Sequence, residues 1–481
     1  MNYIIPIYPE IFLLLAICVI ETVDLLSKQK NTQSIYLLSQ ATLFGLILLT
    51  ATKFGKPSEA VFYGHFISDN LAVVLKIAIA FVSMLALLYT RDYINQRQFM
   101  RSEYYLLFLF AVLGMYVLVS ASSLLSIYLG LELLSLASYA LVAMRRDSRD
   151  ASEAGIKYFV MGAIASGFLL YGISILYGVT GTIVIGEIAN SITNNALLSE
   201  NKLLLSFALV FIVAGLAFKL GAVPFHMWLP DIYQGAPTSV IVFISSAPKI
   251  AAFGMLIRLL VEAVPQLNDQ WQQLLIVLCV LSMAVGNISA IVQSNLKRML
   301  AYSAIAHIGY FLLGIIAGTK DGYSASMFYI IVYSLMTAAG FGLIIFMAKQ
   351  NEEFDEIRQF SGLWKVSPWY AVMTLFVMMS MAGIPPFIGF WPKLEVISAM
   401  LNSGLPYATH LAVAAVFFSI IGAYYYLMVC KTVFFDEPEE GLTIESPRDV
   451  RIALSLNGSC LLLLGLFPSS LLNYCILVFA S

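Results

Sequence analysis

Phe218-Lys-Leu-Gly-Ala-Val-Pro-Phe-His-Met-Trp228 sets a lysine, a proline and a histidine against the end of an apolar run that begins at Leu203. The run is expected to reach Val223 and break at Pro224, because proline removes a backbone donor and clashes with the carbonyl one turn earlier. A second stretch, Met381-Ala-Gly-Ile-Pro-Pro-Phe-Ile-Gly-Phe-Trp391, repeats the pattern after an apolar run from Tyr370 to Ile384, broken at Pro385 and Pro386. Both share small residues, an apolar-proline pair, and a Phe and a Trp downstream. Lys157, Lys219, Lys249 and Lys393 lie inside or at the broken parts of such runs, where an ammonium in hydrocarbon costs several kcal/mol. A lysine beside a broken helix points to proton traffic, and the freed backbone groups need water or side chains as partners.

The composition agrees with a membrane setting: of 481 residues 60% are hydrophobic and 11% charged, with a mean hydropathy of +0.88. With ~20 apolar residues needed per crossing, the expected fold is an all-α polytopic membrane protein with about 14 transmembrane helices. They lie at 4–26, 34–52, 70–90, 104–121, 124–143, 154–178, 203–223, 239–261, 272–293, 299–318, 323–348, 368–402 (broken), 407–434 and 452–476. Paired interruptions in two halves are the sequence sign of inverted repeats. The chain is therefore read as one transmembrane domain with four parts: 1–102 (helices 1–3), 103–263 (first five-helix repeat), 264–435 (second, inverted repeat) and 436–481 (loop and last helix). The acid-rich connections 349–367 and 435–451 read as solvated loops.

The amino end shows no basic region before its first apolar run and carries Glu10, Glu21 and Asp24, so it is expected to be a retained span rather than a cleaved signal. Placing that end outside puts sixteen of the 26 Lys and Arg in inner loops and five in outer ones, with Lys76 and the four lysines above at spans. This bias predicts that both ends lie outside and that the number of crossings is even. Five cysteines sit in apolar spans with no C-x-x-C spacing, against disulfides, zinc and iron–sulfur ligation. Gly340-Phe-Gly342 has no third glycine and no preceding strand, so dinucleotide binding lacks support. No cofactor, no metal and no nucleic acid are expected.

Glu132, in Leu129-Gly-Leu-Glu-Leu-Leu-Ser135, has no charged neighbour on its own helix within two turns, and Lys219 is its expected partner. Two readings fit the pair. It is either a static bridge that fixes packing or a protonation switch, because contact with a carboxylate favours the ammonium and separation in an apolar interior favours the amine. Lys157, one turn into its span, either relays protons or snorkels to the interface. Lys249, in Ser245-Ser-Ala-Pro-Lys-Ile250, is too deep to reach either surface. Lys393 follows Pro392, tolerable where a second half-helix begins, and Glu395 is a possible local partner. His226 and His307 have the chemistry of proton relays, although a lone histidine also serves as an ordinary core donor.

Phe225-His-Met-Trp-Leu-Pro-Asp-Ile-Tyr-Gln-Gly-Ala-Pro-Thr238, Ser246-Ala-Pro-Lys-Ile-Ala-Ala-Phe253 and Asn295-Leu-Lys-Arg-Met-Leu-Ala-Tyr-Ser-Ala-Ile-Ala-His-Ile-Gly-Tyr310 together resemble the antiporter-like subunits of respiratory complex I, the subunit N family of bacterial NADH:quinone oxidoreductase above all. The resemblance implies fourteen helices with two inverted five-helix repeats, each containing one interrupted helix. It implies functional residues at Glu132, Lys157, Lys219, Lys249 and Lys393. A lysine at the last position is similar to subunit N, whereas a sister subunit carries glutamate there, and the long lateral helix of the largest sister is not seen after span 14. The implied function is proton translocation: Glu132 and Lys219 as input pair, Lys249 with His307 as central relay, and Lys393 as exit. The implied partners are other membrane subunits of complex I, the lipid bilayer and protons, with NADH and quinone used by the whole complex and not bound by this chain. A sodium/proton antiporter subunit shares the resemblance, and a structural membrane spacer is the alternative from another class.

Overall fold

Long runs of Leu, Ile, Val, Phe and Ala dictate helix here, because in lipid every backbone donor and acceptor must be satisfied within its own segment. The computed structural model of the protein describes residues 5–27, 32–96, 102–193, 200–348, 353–438, 444 and 446–480. Lys28, Lys30, Arg97, Arg101 and Lys349 of the charge count lie outside the described residues. Each of the fourteen apolar stretches is helical over most of its length. Among the described residues twelve helical stretches are long and apolar enough to cross a membrane. The other two stretches are Tyr8–Leu26, which holds Glu10, Glu21 and Asp24, and the broken stretch formed by Pro368–Ala382 and Phe390–Leu401.

Where these helices start, polar side chains take their free N–H groups. Ser123 accepts from Ser126 N at 3.2 Å, Ser148 from Ala151 N at 3.3 Å, Asn295 from Arg298 N at 3.1 Å and Thr319 from Gly322 N at 3.1 Å.

One compact unit contains Met1–Met84, Met100–Leu220 and Ala247–Leu275. In it, Ser102–Val119 and Leu124–Val142 approach so closely that a Cβ on Gly114 would stand 2.5 Å from Leu134 N. Small residues that let backbones meet are the usual means of packing helices without a hydrophobic drive between them. A short hairpin, Glu59–Val61 paired antiparallel with Phe66–Ser68, joins the second and third spans. Lys76 and Glu10 form a buried ion pair at 2.5 Å, and Arg258, 1% exposed at its side chain, bridges Asp69 (2.8 Å) and Glu262 (2.7 Å) on a π-helical turn, Ile257–Glu262.

The second unit contains Leu85–Phe99, Gly221–Ser246 and Ile276–Ser481. Here a Cβ on Gly286 would stand 2.5 Å from Ala306 N, so the same close-packing device joins Asn268–Ile291 to Leu296–Ile316. The eighth stretch is not one helix: Thr238–Ile244 ends at Ser245, and Ala247–Leu256 starts again with Pro248 in its first turn.

Both expected breaks exist, but proline does not make them. The helices end earlier, at Leu220 and Ala382, because Gly221 (φ 82°) and Gly383 (φ 80°) turn left-handed. Glycine ends helices this way because it lacks the Cβ that penalises such a φ. Pro224 and Pro386 each follow three residues after that glycine, both in cis peptide bonds, and helix resumes at Trp228–Gly235 and Phe390–Leu401.

Candidate functional site

A helix end presents carbonyl groups with no intrahelical partner and a partial negative charge, so a buried end attracts a cation. In the first unit Lys249 supplies it. Its Nζ donates to Leu220 O at 2.6 Å, the last carbonyl before the left-handed glycine, and the residue is 2% exposed. Pro248 stands in the first turn of the helix that carries it. In the second unit Lys393 takes the matching position: its Nζ donates to Ala382 O at 2.8 Å and to Ser419 Oγ at 3.2 Å, and the residue is 8% exposed. Pro392 stands in the first turn of its half-helix. The acid at Glu395 is not a partner of Lys393 in either contact.

Lys219, two residues before Gly221, does not meet Glu132 directly as expected. Among the described residues no ion pair joins them. Lys219 Nζ donates to Ser135 Oγ at 3.0 Å, and Ser166 Oγ donates to the Glu132 carboxylate. Serine 135 is one helical turn beyond Glu132 and faces the same way, so it reaches the ammonium first. Lys249 donates to the carbonyl of Leu220, the residue that follows Lys219. A cavity of about 20 Å³, lined by Ser135, Ser166 and Lys219 among others, lies beside Lys219. That is room for about one water, with polar partners to hold it.

Lys157 is held 3.0 Å from Glu153 one turn earlier, with 41% of its side chain exposed. The structure therefore brings it to a surface and not to the buried lysines. His226 is half-buried in the non-helical segment 221–227, where its carbonyl accepts from Leu229 N. Its side chain is brought to none of the other expected site residues by a hydrogen bond among the described residues.

His307, 3% exposed, is bracketed by hydroxyls: Nδ1 to Tyr329 Oη at 2.7 Å and Nε2 to Tyr426 Oη at 3.2 Å. Lys393 lies 5.0 Å from the centre of the Tyr310 ring, and the His307 ring lies 6.3 Å from that same ring. Sequence reasoning missed Ser135, Ser166, Ser419, Tyr329 and Tyr426. Their signal was present but weak: Ser135 follows Glu132 by three, and Tyr426 puts a hydroxyl inside an apolar run.

The fold and this site define a class: polytopic helical membrane proteins with buried lysines at the ends of broken helices. A family model described as NADH:quinone oxidoreductase/Mrp antiporter, TM matches residues 121–421. The NADH-quinone oxidoreductase subunit N of Hydrogenovibrio crunogenus is 49% identical, covering 99% of each chain, and that of Herminiimonas arsenicoxydans is 50% identical, covering 98% of this chain and 97% of the relative. A chain of respiratory complex I from Thermus thermophilus with bound aureothin is 32% identical, with TM-score 0.82 over 97% of this chain and 98% of that one. A chain of the Mrp complex from Dietzia shares the fold at TM-score 0.84 and 22% identity, covering 99% and 97%. The chain belongs to the NADH-quinone oxidoreductase subunit N family.

Proposed function

We propose that proton transfer through this chain runs over Glu132 and Lys219 as input pair, Lys249 and His307 as central relay and Lys393 as exit, in a proton-translocating membrane subunit of NADH:quinone oxidoreductase. One observation carries the reading. Lys249 and Lys393 each donate to a carbonyl at a helix end. A carboxylate partner locks an ammonium in its charged form, whereas a carbonyl accepts a hydrogen bond from ammonium and amine alike. Lys249 is bonded to the carbonyl of the residue that follows Lys219, and Lys393 and His307 both border the Tyr310 ring, so like charges within each pair repel and a proton arriving at one site favours departure from the other. Ser135 and the small cavity beside it support a water-assisted step between Glu132 and Lys219, which favours the switch over the static bridge. Lys157, exposed and paired with Glu153, fits an outer position on the input side or simple snorkelling.

The division into 1–102, two inverted repeats at 103–263 and 264–435, and 436–481 belongs to the same proposal, supported by the matched glycine-ended helices. So do an inner-membrane location with periplasmic termini, supported by the bias of Lys and Arg, and contact with lipid and with other membrane subunits of the complex. NADH and quinone are handled elsewhere in the complex.

NADH-driven proton uptake into inverted membrane vesicles tests the relay. Lys249→Met is expected to lower pumping about tenfold or more, in the range that loss of one proton-transfer group costs. Lys249→Arg should fail as well, because a guanidinium with pKa above ~12 does not release its proton. Lys157→Met should lose little. Equal, mild losses at both positions would contradict the assignment.

A further inference from the structure

The second unit holds a cavity of about 370 Å³ that the scheme above does not use. That volume falls within the range of small-molecule sites, about 300–1,000 Å³. The cavity lies where three chain segments meet: the turn after Asn268–Ile291, the segment 356–361 and the end of Ala408–Phe435. Gly362 N donates to Thr432 O at 3.1 Å and ties the last two together. Two chemistries share the lining. Ile291, Met299, Ile357, Tyr424 and Met428 make it largely apolar, whereas Glu356, Arg358 and Asp436 bring charge to the same space.

The cavity reaches the surface, because Ile291, Ser294, Arg358, Tyr424 and Met428 are exposed. From its edge an apolar strip runs along each long helix. Ile288 lies three residues before Ile291 and Ile420 four before Tyr424, all exposed and each pair on one helix face. Trp364, 42% exposed, stacks on Phe434, which stands between Thr432 and Asp436 in the chain. An exposed tryptophan beside the charged end of an apolar helix marks the level where hydrocarbon meets headgroups.

Arg358 is the cation of this lining, and among the described residues it forms no ion pair, although two carboxylates share the cavity. The Glu356 carboxylate accepts from Gln359 N, and Asp436 lies 3.6 Å from the exposed Lys431. A guanidinium matches a phosphate with two parallel N–H donors. The two acids oppose any further negative charge. With the hydroxyls of Ser294 and Thr432 they offer acceptors that a primary ammonium, with three N–H donors, can fill. We propose that this cavity binds one phospholipid with a primary ammonium headgroup, of the phosphatidylethanolamine kind. Its phosphate meets Arg358, its ammonium faces Asp436 and Glu356, and its acyl chains follow the strips at Ile288 and Ile420. An anionic lipid brings the phosphate without the counter-charge, and a choline lipid brings a cation with no N–H to donate. The bound lipid joins the segment 356–361 to the end of Ala408–Phe435. This site goes beyond the proton relay and does not depend on it.

The test uses the intact complex, stripped of lipid in detergent and returned to nanodiscs of phosphatidylcholine. Phosphatidylethanolamine with a photoreactive acyl chain is added, and cross-linked peptides are read by mass spectrometry. Label is expected within 285–293 or 417–428. Unlabelled phosphatidylethanolamine should displace it at about tenfold lower fraction than phosphatidylglycerol, the range of one hydrogen bond between charged groups. Arg358→Gln should lower the labelling about tenfold, and Arg358→Lys less, because lysine keeps the charge and loses the fork. Assembly is checked by native gel, and the lipid competition in the unaltered complex decides the matter if the glutamine variant does not assemble. Label elsewhere in the chain, equal displacement by both lipids, or unchanged labelling in Arg358→Gln overturns the proposal. Displacement by inorganic phosphate alone would make this a plain anion site, and cross-links from these residues to a neighbouring subunit in place of lipid would make it a protein interface; either result overturns it too.

Discussion

The two broken helices solve one problem with lysines of different origin. At the first break the ammonium over the helix end comes from Lys249, 29 residues beyond the carbonyl it holds and on the next span. At the second it comes from Lys393, 11 residues beyond its carbonyl and on the other half of the same span. The first break therefore ties two spans together, whereas the second is closed within one. The first also holds a second lysine, Lys219, where the second has Met381. Beside the second stand His307 and hydroxyls from Tyr329 and Tyr426. What the two share is a buried helix end that needs a cation. What differs is the titratable group beside it, an amine in one and an imidazole in the other.

If the two lysines are stations on one path, losing either blocks the whole. Lys393→Met is expected to lower NADH-driven pumping about tenfold or more, as Lys249→Met does, and the double variant should pump no worse than the weaker single one. Additive losses would mean two independent routes and would break the comparison.

Glu132→Gln should cost less, a several-fold fall in pumping with assembly intact. Glutamine keeps the volume and still accepts from Ser166, so only the charge acting on Lys219 is lost. Wild-type pumping there would leave the pair a static packing device.

Gly383→Ala separates the shape of the break from the charge. An alanine at φ 80° is strained by roughly 1–2 kcal/mol, and its Cβ would stand 2.8 Å from Lys393 Cδ. Thermal stability and pumping should therefore both fall. Gly181→Ala is the control: φ is 72°, nothing lies within 4 Å of the added Cβ, and only stability should fall.

The smallest effect is expected at Ser135→Ala, which removes the acceptor of Lys219 beside a site able to hold water. A lost hydrogen bond is worth ~1 kcal/mol, and a second water in its place should leave pumping within about threefold of wild type. A loss as large as that of Glu132→Gln would make the serine a proton carrier in its own right.

Most of the fold was legible because lipid imposes one rule on every span, and apolar runs of fixed length express it directly. The breaks were legible to within three residues. Pro224 and Pro385 drew attention to them, but glycine at 221 and 383 ends the helices, since only glycine takes that backbone conformation without a steric penalty. The candidate site was legible as a set of charges out of place, Glu132, Lys219, Lys249, Lys393 and His307, because an ionisable group in an apolar run stands out against its neighbours. Its partners were not. Ser135 between Glu132 and Lys219, the carbonyls of Leu220 and Ala382, and the hydroxyls around His307 are residue types or backbone groups that occur everywhere.

By itself, then, the sequence determined that the chain crosses a membrane many times, where two helices break and which buried groups carry charge, since each follows from local composition and spacing. Tertiary structure alone decided which atom each charge meets. Glu132 and Lys219 are far apart in the chain, and Lys249 reaches the carbonyl of Leu220, because contact is set by how helices pack and turn their faces, which no local pattern encodes.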